Sequence, residues 1–269
     1  TRFDWSGIVR DLRSRGHRYV SEWQSRHDPL RHDGLTGPAD EFTQIGYEQA
    51  RPGEEFLKIG VGTLRKPYDQ PYDRFRLYEI IDPGIRDLIA GRDRVEFRHR
   101  MLNDDYGYDY RKTLVLTDAP GLRLEYTLKN LGPAPLTGYV YNHNFFTLDR
   151  MATGPDTSIH FPFEPEGTWR EAYDSVALTP DGVVFRRNLR TGESVFMGDL
   201  HSQDPATREY GFSLRNLATG AGIQASGSGQ LSHMVLWACP TVACLEPYIP
   251  FRVFPGETGV WHIDYELLA

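Results

Sequence analysis

The chain has 269 residues, a length that one large all-β domain or two ordinary domains could fill. Its formal net charge of −7 argues against nucleic acid or an anionic membrane surface as the main partner. No apolar run is long enough to cross a bilayer. We therefore expect a cytoplasmic protein. Because the sequence does not begin with Met, a removed N-terminal leader is the alternative.

The first third of the chain has the least regular pattern. Residues 3–16 could form a helix, but their apolar residues are irregularly spaced. Residues 24–66 are dense in Gly, Pro, His and charge, and so long a segment in a compact domain is either functional or disordered. Apolar residues spread through its second half predict order: Phe42, Ile45, Phe56, Leu57 and Ile59.

Strand patterns dominate from residue 93 onward. Residues 93–102 and 108–118 alternate apolar and polar side chains, and residues 122–132 would place Leu122, Leu124, Tyr126 and Leu128 on one face. Further short apolar segments follow up to residue 268, separated by turns rich in Gly and Pro. This spacing predicts an all-β sandwich or barrel. No linker divides the chain, so we predict a single domain, 1–269.

The two cysteines, Cys239 and Cys244, lie close together in the segment WACPTVACLEP. A disulfide across so short a loop is possible but not required, and two cysteines are too few for a disulfide scaffold. Their spacing is wider than that of a zinc knuckle, and a zinc site would need further ligands. We predict two buried free thiols and no metal site.

His143 lies in the segment GYVYNHNFFTLD, which is a strand leading into a turn. The neighbours Asn142 and Asn144 could set the tautomer of its ring, and Phe145 follows. A histidine held by turn hydrogen bonds is the ordinary structural interpretation of one such residue.

Glu246 follows an apolar run in the segment VACLEPYIPFRVFPGE and precedes Pro247 and Tyr248. A carboxylate between apolar and aromatic residues should have a raised pKa, which suits a general acid or base near neutral pH. The ordinary interpretation is a salt-bridge partner at the end of a strand.

Together, and in this order, the two segments resemble the aldose 1-epimerase family, whose fold is called galactose mutarotase-like. Members carry a TNHSYFNL-like motif in mid-chain and a CLEP motif near the end, followed by an L-x-PGE strand. The segments here read YNHNFFTLD and CLEPYIPFRVFPGE. The resemblance covers residues 108–269 well and the first hundred residues loosely. It implies an antiparallel β-sandwich of the galactose mutarotase-like (supersandwich) type, and strands rather than a helix in residues 3–16.

The resemblance also implies a mechanism. The family's catalytic acid corresponds to His143 and its base to Glu246, so that Glu246 takes the proton of the anomeric hydroxyl while His143 protonates the ring oxygen. Ring opening, rotation about C1–C2 and closure then give the other anomer. Proton transfers alone suffice, so we expect no metal or organic cofactor. We expect both side chains in one cleft, with their polar ends several ångströms apart and room for a sugar ring between them.

The departures from the family concern substrate binding. The usual Asn-Arg and LHGG-like stretches are absent, and the nearest positional candidates are the cations Lys58, Arg65 and Lys66 in LKIGVGTLRK. The hexose-6-phosphate epimerase branch has an Arg-Gly-Gly stretch in this zone, and a cationic replacement would favour a phosphate or uronate sugar. A surface location is the plainer interpretation of each cation. Asp199 is the first candidate for the family's hydroxyl-binding Asp, and Asn142 and Phe145 are further candidates for substrate contact.

Three functions are compatible with these residues. The first is an aldose 1-epimerase, or mutarotase, acting on a small sugar or sugar derivative. The second is a lyase or glycoside-processing enzyme on the same scaffold, since one fold hosts many chemistries. The third is a non-catalytic sugar-binding protein, which would need neither an acid nor a base. Whether the protein is a monomer or a homodimer stays open.

Overall fold

The computed structural model describes residues 1–24, 36–207 and 210–269, and this part of the chain is built from β-strands, numbered here in chain order. Every strand pairing in its four sheets is antiparallel. The one helical element in these ranges is a 3₁₀ turn, Leu148–Arg150. Within the same ranges no helix is long and apolar enough to cross a membrane. The prediction of an all-β, antiparallel protein is confirmed.

The larger sheet has ten strands. In spatial order they are β14 (Val176–Thr179), β15 (Gly182–Phe185), β12 (Thr157–His160), β17 (Gly211–Asn216), β18 (Gly222–Gly227), β21 (Thr258–Leu268), β10 (Gly121–Asn130), β9 (Gly107–Leu116), β8 (Arg94–Leu102) and β7 (Ile85–Ala90). Alternate residues of a strand point to opposite faces. On β10 the predicted inner face is confirmed, because Leu122, Leu124, Tyr126 and Leu128 are all buried.

The second sheet has six strands and packs on the first. In spatial order they are β13 (Pro165–Trp169), β16 (Val195–Ser202), β19 (His233–Cys239), β20 (Val242–Val253), β11 (Leu136–His143) and β3 (Ala39–Phe42). Its inner residues, such as Leu236 and Leu245, join one core with the inner face of the larger sheet. Burying such a side chain contributes roughly 1.5–3 kcal/mol. The outer face of the six-stranded sheet, which points away from this core, carries the alternate residues of the same strands.

Two small sheets complete the described part of the chain. One pairs β1 (Leu12–Ser14) with β2 (His17–Val20), and the other contains β4 (Glu55–Lys58), β5 (Gly62–Arg65) and β6 (Ile80–Asp82). Residues 3–16 thus hold one short strand among turns and bends and form no helix. Order in the segment 24–66 is confirmed for residues 36–66, where the three-stranded sheet packs on its own apolar cluster. Residues 25–35 lie outside the described ranges.

Cys239 and Cys244 are buried free thiols, as predicted. Burial raises the pKa of the Cys239 thiol and raises that of Cys244 well above its ordinary value. Both are therefore protonated and unreactive at neutral pH.

Candidate active site

The outer face of the six-stranded sheet gathers the two residues singled out by the sequence. Tyr141 and His143 are alternate residues of β11, and Glu246 and Tyr248 are alternate residues of the neighbouring strand β20. The register places Tyr141 opposite Tyr248, so both pairs of side chains project from the same face. The inner residues between them, Asn142 and Pro247, face the core side instead.

These side chains border a cavity of about 480 Å³. Strands β11, β16, β19 and β20 supply part of the lining. The chain start, Trp23 after β2, Phe145 after β11 and the segments that contain residues 74–75 and 170 supply the rest. The lining residues are Arg2, Trp23, Arg74, Phe75, His143, Phe145, Arg170, Phe196, Val235, Trp237, Glu246 and Tyr248. A concave site with aromatic walls and a few convergent polar groups is typical of a small-molecule site.

His143 and Glu246 are in direct contact within this cavity. The distance from His143 Nε2 to Glu246 Oε1 is 3.2 Å, and their side chains are 7% and 5% exposed. The prediction that they share a cleft is confirmed. The predicted separation by a sugar ring is wrong, because adjacent strands bring the two rows of side chains together and no residue lies between them.

Burial sets the protonation of this pair. It raises the pKa of Glu246 to about 8, although Arg2 and Arg74 act in the opposite direction. It lowers the pKa of His143 well below the ordinary value, and Arg2 lowers it further. Near neutral pH the pair therefore holds one acidic proton, which resides on Glu246. The Nδ1 atom of His143 is also buried and has no hydrogen-bond partner among the described residues.

Aromatic rings hold the imidazole in place. Phe145 stacks on His143 with ring centroids 3.8 Å apart and planes at 6°. Phe3 and Trp237 meet the imidazole edge-on at 5.8 and 5.9 Å. Trp23 in turn stacks on Phe145 at 5.8 Å. This packing lowers the local polarity around the pair and fixes the plane of its ring.

Three arginines line the cavity, and the sequence patterns did not identify them. Arg2 donates from Nε to Glu41 at 2.7 Å and from Nη2 to the Tyr141 hydroxyl at 2.8 Å. Arg74 donates to the same hydroxyl at 3.4 Å. Arg170 lies over the Phe196 ring at 3.9 Å. Each comes from a loop or a strand end with no motif around it, so no local signal marks it.

The other predicted substrate contacts lie elsewhere, apart from Phe145. Lys58 is buried behind the cavity wall and pairs with Glu41 at 3.1 Å. Arg65 pairs with Glu79 at 2.8 Å on the surface.

Asp199 and Asn142 also lie outside the cavity lining. Asp199 is exposed in an irregular stretch of β16 with φ of 53°. Asn142 points to the core, where it donates to Asp40 and, at 3.1 Å, to the Tyr126 hydroxyl. The structure therefore brings together His143, Glu246 and Phe145 among the predicted residues.

A second recess of about 530 Å³ lies between the β1–β2 hairpin and the 3₁₀ turn. It is lined by Arg13, Ser14, Arg15, Gly16, His17, Arg18, Asp149 and Arg150. It has no aromatic wall and no buried acid–base pair, so it lacks the chemistry of the first cavity. Within the described ranges, no group of three or more His, Cys, Asp or Glu side chains is placed to hold a metal ion.

Comparison with solved structures identifies the fold as galactose mutarotase-like. A galactose mutarotase-like protein from Clostridium acetobutylicum matches with a TM-score of 0.58 and 14% identity, over 98% of this chain and 90% of that one. A galactose mutarotase related enzyme from Lactobacillus acidophilus gives 0.56 and 12%, over 94% and 87%. A GalM/aldose epimerase homologue from C. elegans gives 0.50 and 12%, over 97% and 98%. No protein-family model and no curated protein sequence matches the chain.

Proposed function

We propose that this protein is an aldose 1-epimerase-like isomerase that interconverts the anomers of a sugar, with Glu246 and His143 as its acid–base pair. The observation that carries the proposal is the buried contact of 3.2 Å between the two groups in an aromatic-walled cavity. The fold supports it, since solved proteins with this fold include ones named for aldose epimerase and galactose mutarotase.

The pair contains the two functions that anomer exchange requires. One group accepts the O1 proton of the cyclic sugar while the other donates a proton to the ring oxygen. The C1–O5 bond breaks and a C1 carbonyl forms, so the open-chain aldehyde is neutral and the pair has gained one proton and lost one. Rotation about C1–C2 and the reverse transfers close the ring as the other anomer. In the assignment that the sequence resemblance implies, Glu246 is the first acceptor and His143 the first donor.

The protonation of the pair is compatible with this sequence of steps. The form with neutral His143 and protonated Glu246 contains as many protons as the form with imidazolium and carboxylate. Transfer of one proton across the contact of 3.2 Å interconverts the two forms. Because ring closure reverses ring opening, each group serves as acid in one half of the reaction and as base in the other.

The decisive experiment measures anomer exchange on freshly dissolved α-sugars by polarimetry or NMR. We expect Glu246→Gln to lower kcat by about 10²–10⁴-fold while sugar binding persists, because glutamine keeps the shape and loses the proton. Glu125→Gln, the same change at an exposed residue of β10, should leave the rate unchanged. Unchanged exchange in Glu246→Gln would refute the assignment. Sugar binding without exchange of any aldose by the native protein would favour a lyase, a glycoside-processing enzyme or a non-catalytic binding protein.

We further propose that the sugar carries an anionic group, either a carboxylate or a phosphate. Among the described residues, Arg74 and Arg170 have no carboxylate within ion-pair distance although both line the cavity. Glu246 is the only carboxylic acid in the lining described here, and burial favours its neutral form. Guanidinium groups that have no carboxylate partner at an apolar wall favour an anionic ligand, and each could bind that ligand with two hydrogen bonds.

Exchange rates for neutral, uronate and 6-phosphate sugars would test this preference. We expect kcat/KM to be highest for an anionic sugar, and Arg74→Gln to raise its KM about tenfold or more without the same effect on a neutral sugar. Arg65→Gln is the matched control, since Arg65 lies outside the cavity lining. Equal kcat/KM for neutral and anionic sugars would contradict the preference and leave the proposed reaction intact.

A further inference from the structure

Glu41 is a buried carboxylate directly behind the cavity wall. It lies on β3 opposite Tyr141 of β11, so its side chain projects from the face that carries His143. It is 3% exposed and does not line the cavity. No sequence motif surrounds it.

Three donors converge on this carboxylate. Arg2 Nε donates to Oε2 at 2.7 Å, Lys58 Nζ donates to Oε1 at 3.1 Å, and the Tyr141 hydroxyl donates to Oε2. Burial alone would raise the pKa of Glu41, but Lys58, Arg2, Arg74 and the Tyr141 hydroxyl outweigh it and lower the pKa to about 2. Glu41 is therefore a fixed negative charge at every pH at which the protein would work.

Two of the three donors connect Glu41 to the cavity. Arg2 lines it and is held at two points, by Glu41 and by the Tyr141 hydroxyl. Tyr141 stacks on Tyr248, another lining residue, with ring centroids 4.3 Å apart and planes at 13°. Tyr141 is also two residues from His143 on the same face of β11, with ring centroids 6.4 Å apart. The third donor, Lys58, stays buried behind the wall.

The carboxylate also acts on the reactive pair through space. The charges that influence His143 and Glu246 are Arg2, from the chain start, Arg74, from the segment after β5, and Glu41, from β3. The hydroxyls and thiol that face the pair from β11 and β20 are uncharged, because burial raises the pKa of Tyr141, Tyr248 and Cys244. Glu41 is thus the one negative charge among the described groups that opposes the two arginines.

We propose that Glu41 is a positioning residue for the acid–base pair, and this inference rests on the proposed function. Its carboxylate holds the Arg2 guanidinium and the Tyr141 hydroxyl in place against the pair, and Lys58 is its buried counter-charge rather than a substrate ligand. Arg2 and Lys58 both pair with Glu41, so none of these three buried charges lacks a partner, and an unpaired buried charge would be strongly destabilising.

The test compares Glu41→Gln with the charge-balanced double variant Glu41→Gln/Lys58→Met. Both variants remove the negative charge and leave Arg2 and Tyr141 a single neutral amide oxygen as acceptor, which holds a guanidinium group less firmly than a carboxylate. We expect kcat/KM for anomer exchange to fall about 10²-fold in each, the size of a misplacement near the reacting atoms. In Glu41→Gln the pH–rate profile should also move to lower pH, because the lost negative charge had raised the pKa of both members of the pair. Lys58→Met alone keeps both contacts and should retain activity within about threefold.

Two controls separate a positioning role from a structural one. Glu193 accepts hydrogen bonds of 2.8 Å from Arg187, and neither residue lines the cavity. Glu193→Gln therefore removes an ion pair with arginine, as Glu41→Gln does, and should change neither kcat/KM nor the pH profile. Circular dichroism and thermal melting establish that each variant is folded. If Glu41→Gln does not fold, the double variant carries the test.

A further readout does not require turnover. The ¹⁵N chemical shifts of the His143 ring report its protonation, and in Glu41→Gln they should titrate at lower pH than in the native protein. If the native protein exchanges no anomers, this titration still tests Glu41, and so the two proposals can fail separately. A folded variant with native kcat/KM, an unmoved pH profile and an unmoved His143 titration would overturn the inference.

Discussion

Replacing Lys112 by Met should strongly destabilise the fold, because it would leave two carboxylates in the core without a cation. Lys112 projects from β9 between the sheets, where its Nζ atom lies 2.5 Å from Asp40 and 3.9 Å from Asp4 and donates to the Gly7 carbonyl at 3.1 Å. The side chain of Lys112 is 1% exposed and those of both aspartates are 0% exposed. Breaking a buried ion pair by removing one partner typically costs about 3–5 kcal/mol.

The loss of stability in Lys112→Met should depend on pH, because it arises from the ionisation of a buried carboxyl group. Burial raises the pKa of Asp4 to about 7, while Lys112 acts to lower it. An acid whose pKa is higher in the folded state destabilises the fold progressively as the pH rises from the unfolded value towards the folded one. Removing Lys112 raises the folded pKa further, so the penalty should be largest at pH 8 and smaller at pH 5, where the carboxyl group is protonated.

Denaturant unfolding of the native protein and Lys112→Met at pH 5 and pH 8 would measure both effects. The variant Lys112→Met/Asp40→Asn removes one charge of each sign and should recover a large part of the loss. A loss below about 1 kcal/mol, or an equal loss at both pH values, would refute the reasoning, because neither fits an uncompensated buried carboxylate.

Two further predictions concern residues whose burial or backbone conformation is costly. Because burial raises the pKa of Glu246 to about 8, its ionisation weakens the native fold as the pH rises from the unfolded value of 4.5. The stability of Glu246→Gln relative to the native protein should therefore increase from pH 5 to pH 9 in thermal melts. A stability difference that does not change with pH would contradict a buried Glu246 carboxyl group with a raised pKa. Gly62→Ala should cost more than Gly16→Ala in denaturant unfolding. Both residues have positive φ, but a Cβ at Gly62 would clash with the Asp82 carbonyl oxygen, whereas nothing lies within 4 Å at Gly16. Equal losses would show that backbone strain, and not the close approach, sets the cost.

The fold class and three members of the candidate site, His143, Phe145 and Glu246, could be predicted from the amino-acid sequence alone. Alternation with a period of two is a local property, and so residues 122–128 predicted the inner face of β10 correctly. His143 and Glu246 were identifiable because each lies within a contiguous motif. The free thiols of Cys239 and Cys244 were predicted because two cysteines are too few for a disulfide scaffold and their spacing does not fit a zinc knuckle.

The polar groups that surround His143 and Glu246 depend on tertiary packing and could not be predicted from the sequence. The residues that surround the pair come from separate segments of the chain: Arg2, Glu41, Lys58, Arg74 and Tyr141. Their contacts depend on strand register and on the path of loops across the outer face of the six-stranded sheet. A sequence pattern carries no information about which of several cations meets a buried carboxylate. For that reason Lys58 could be expected at the substrate, although packing pairs it with Glu41 behind the wall. The 3.2 Å contact between His143 and Glu246 has the same origin, since the pairing of β11 with β20 sets their separation and neither motif encodes it.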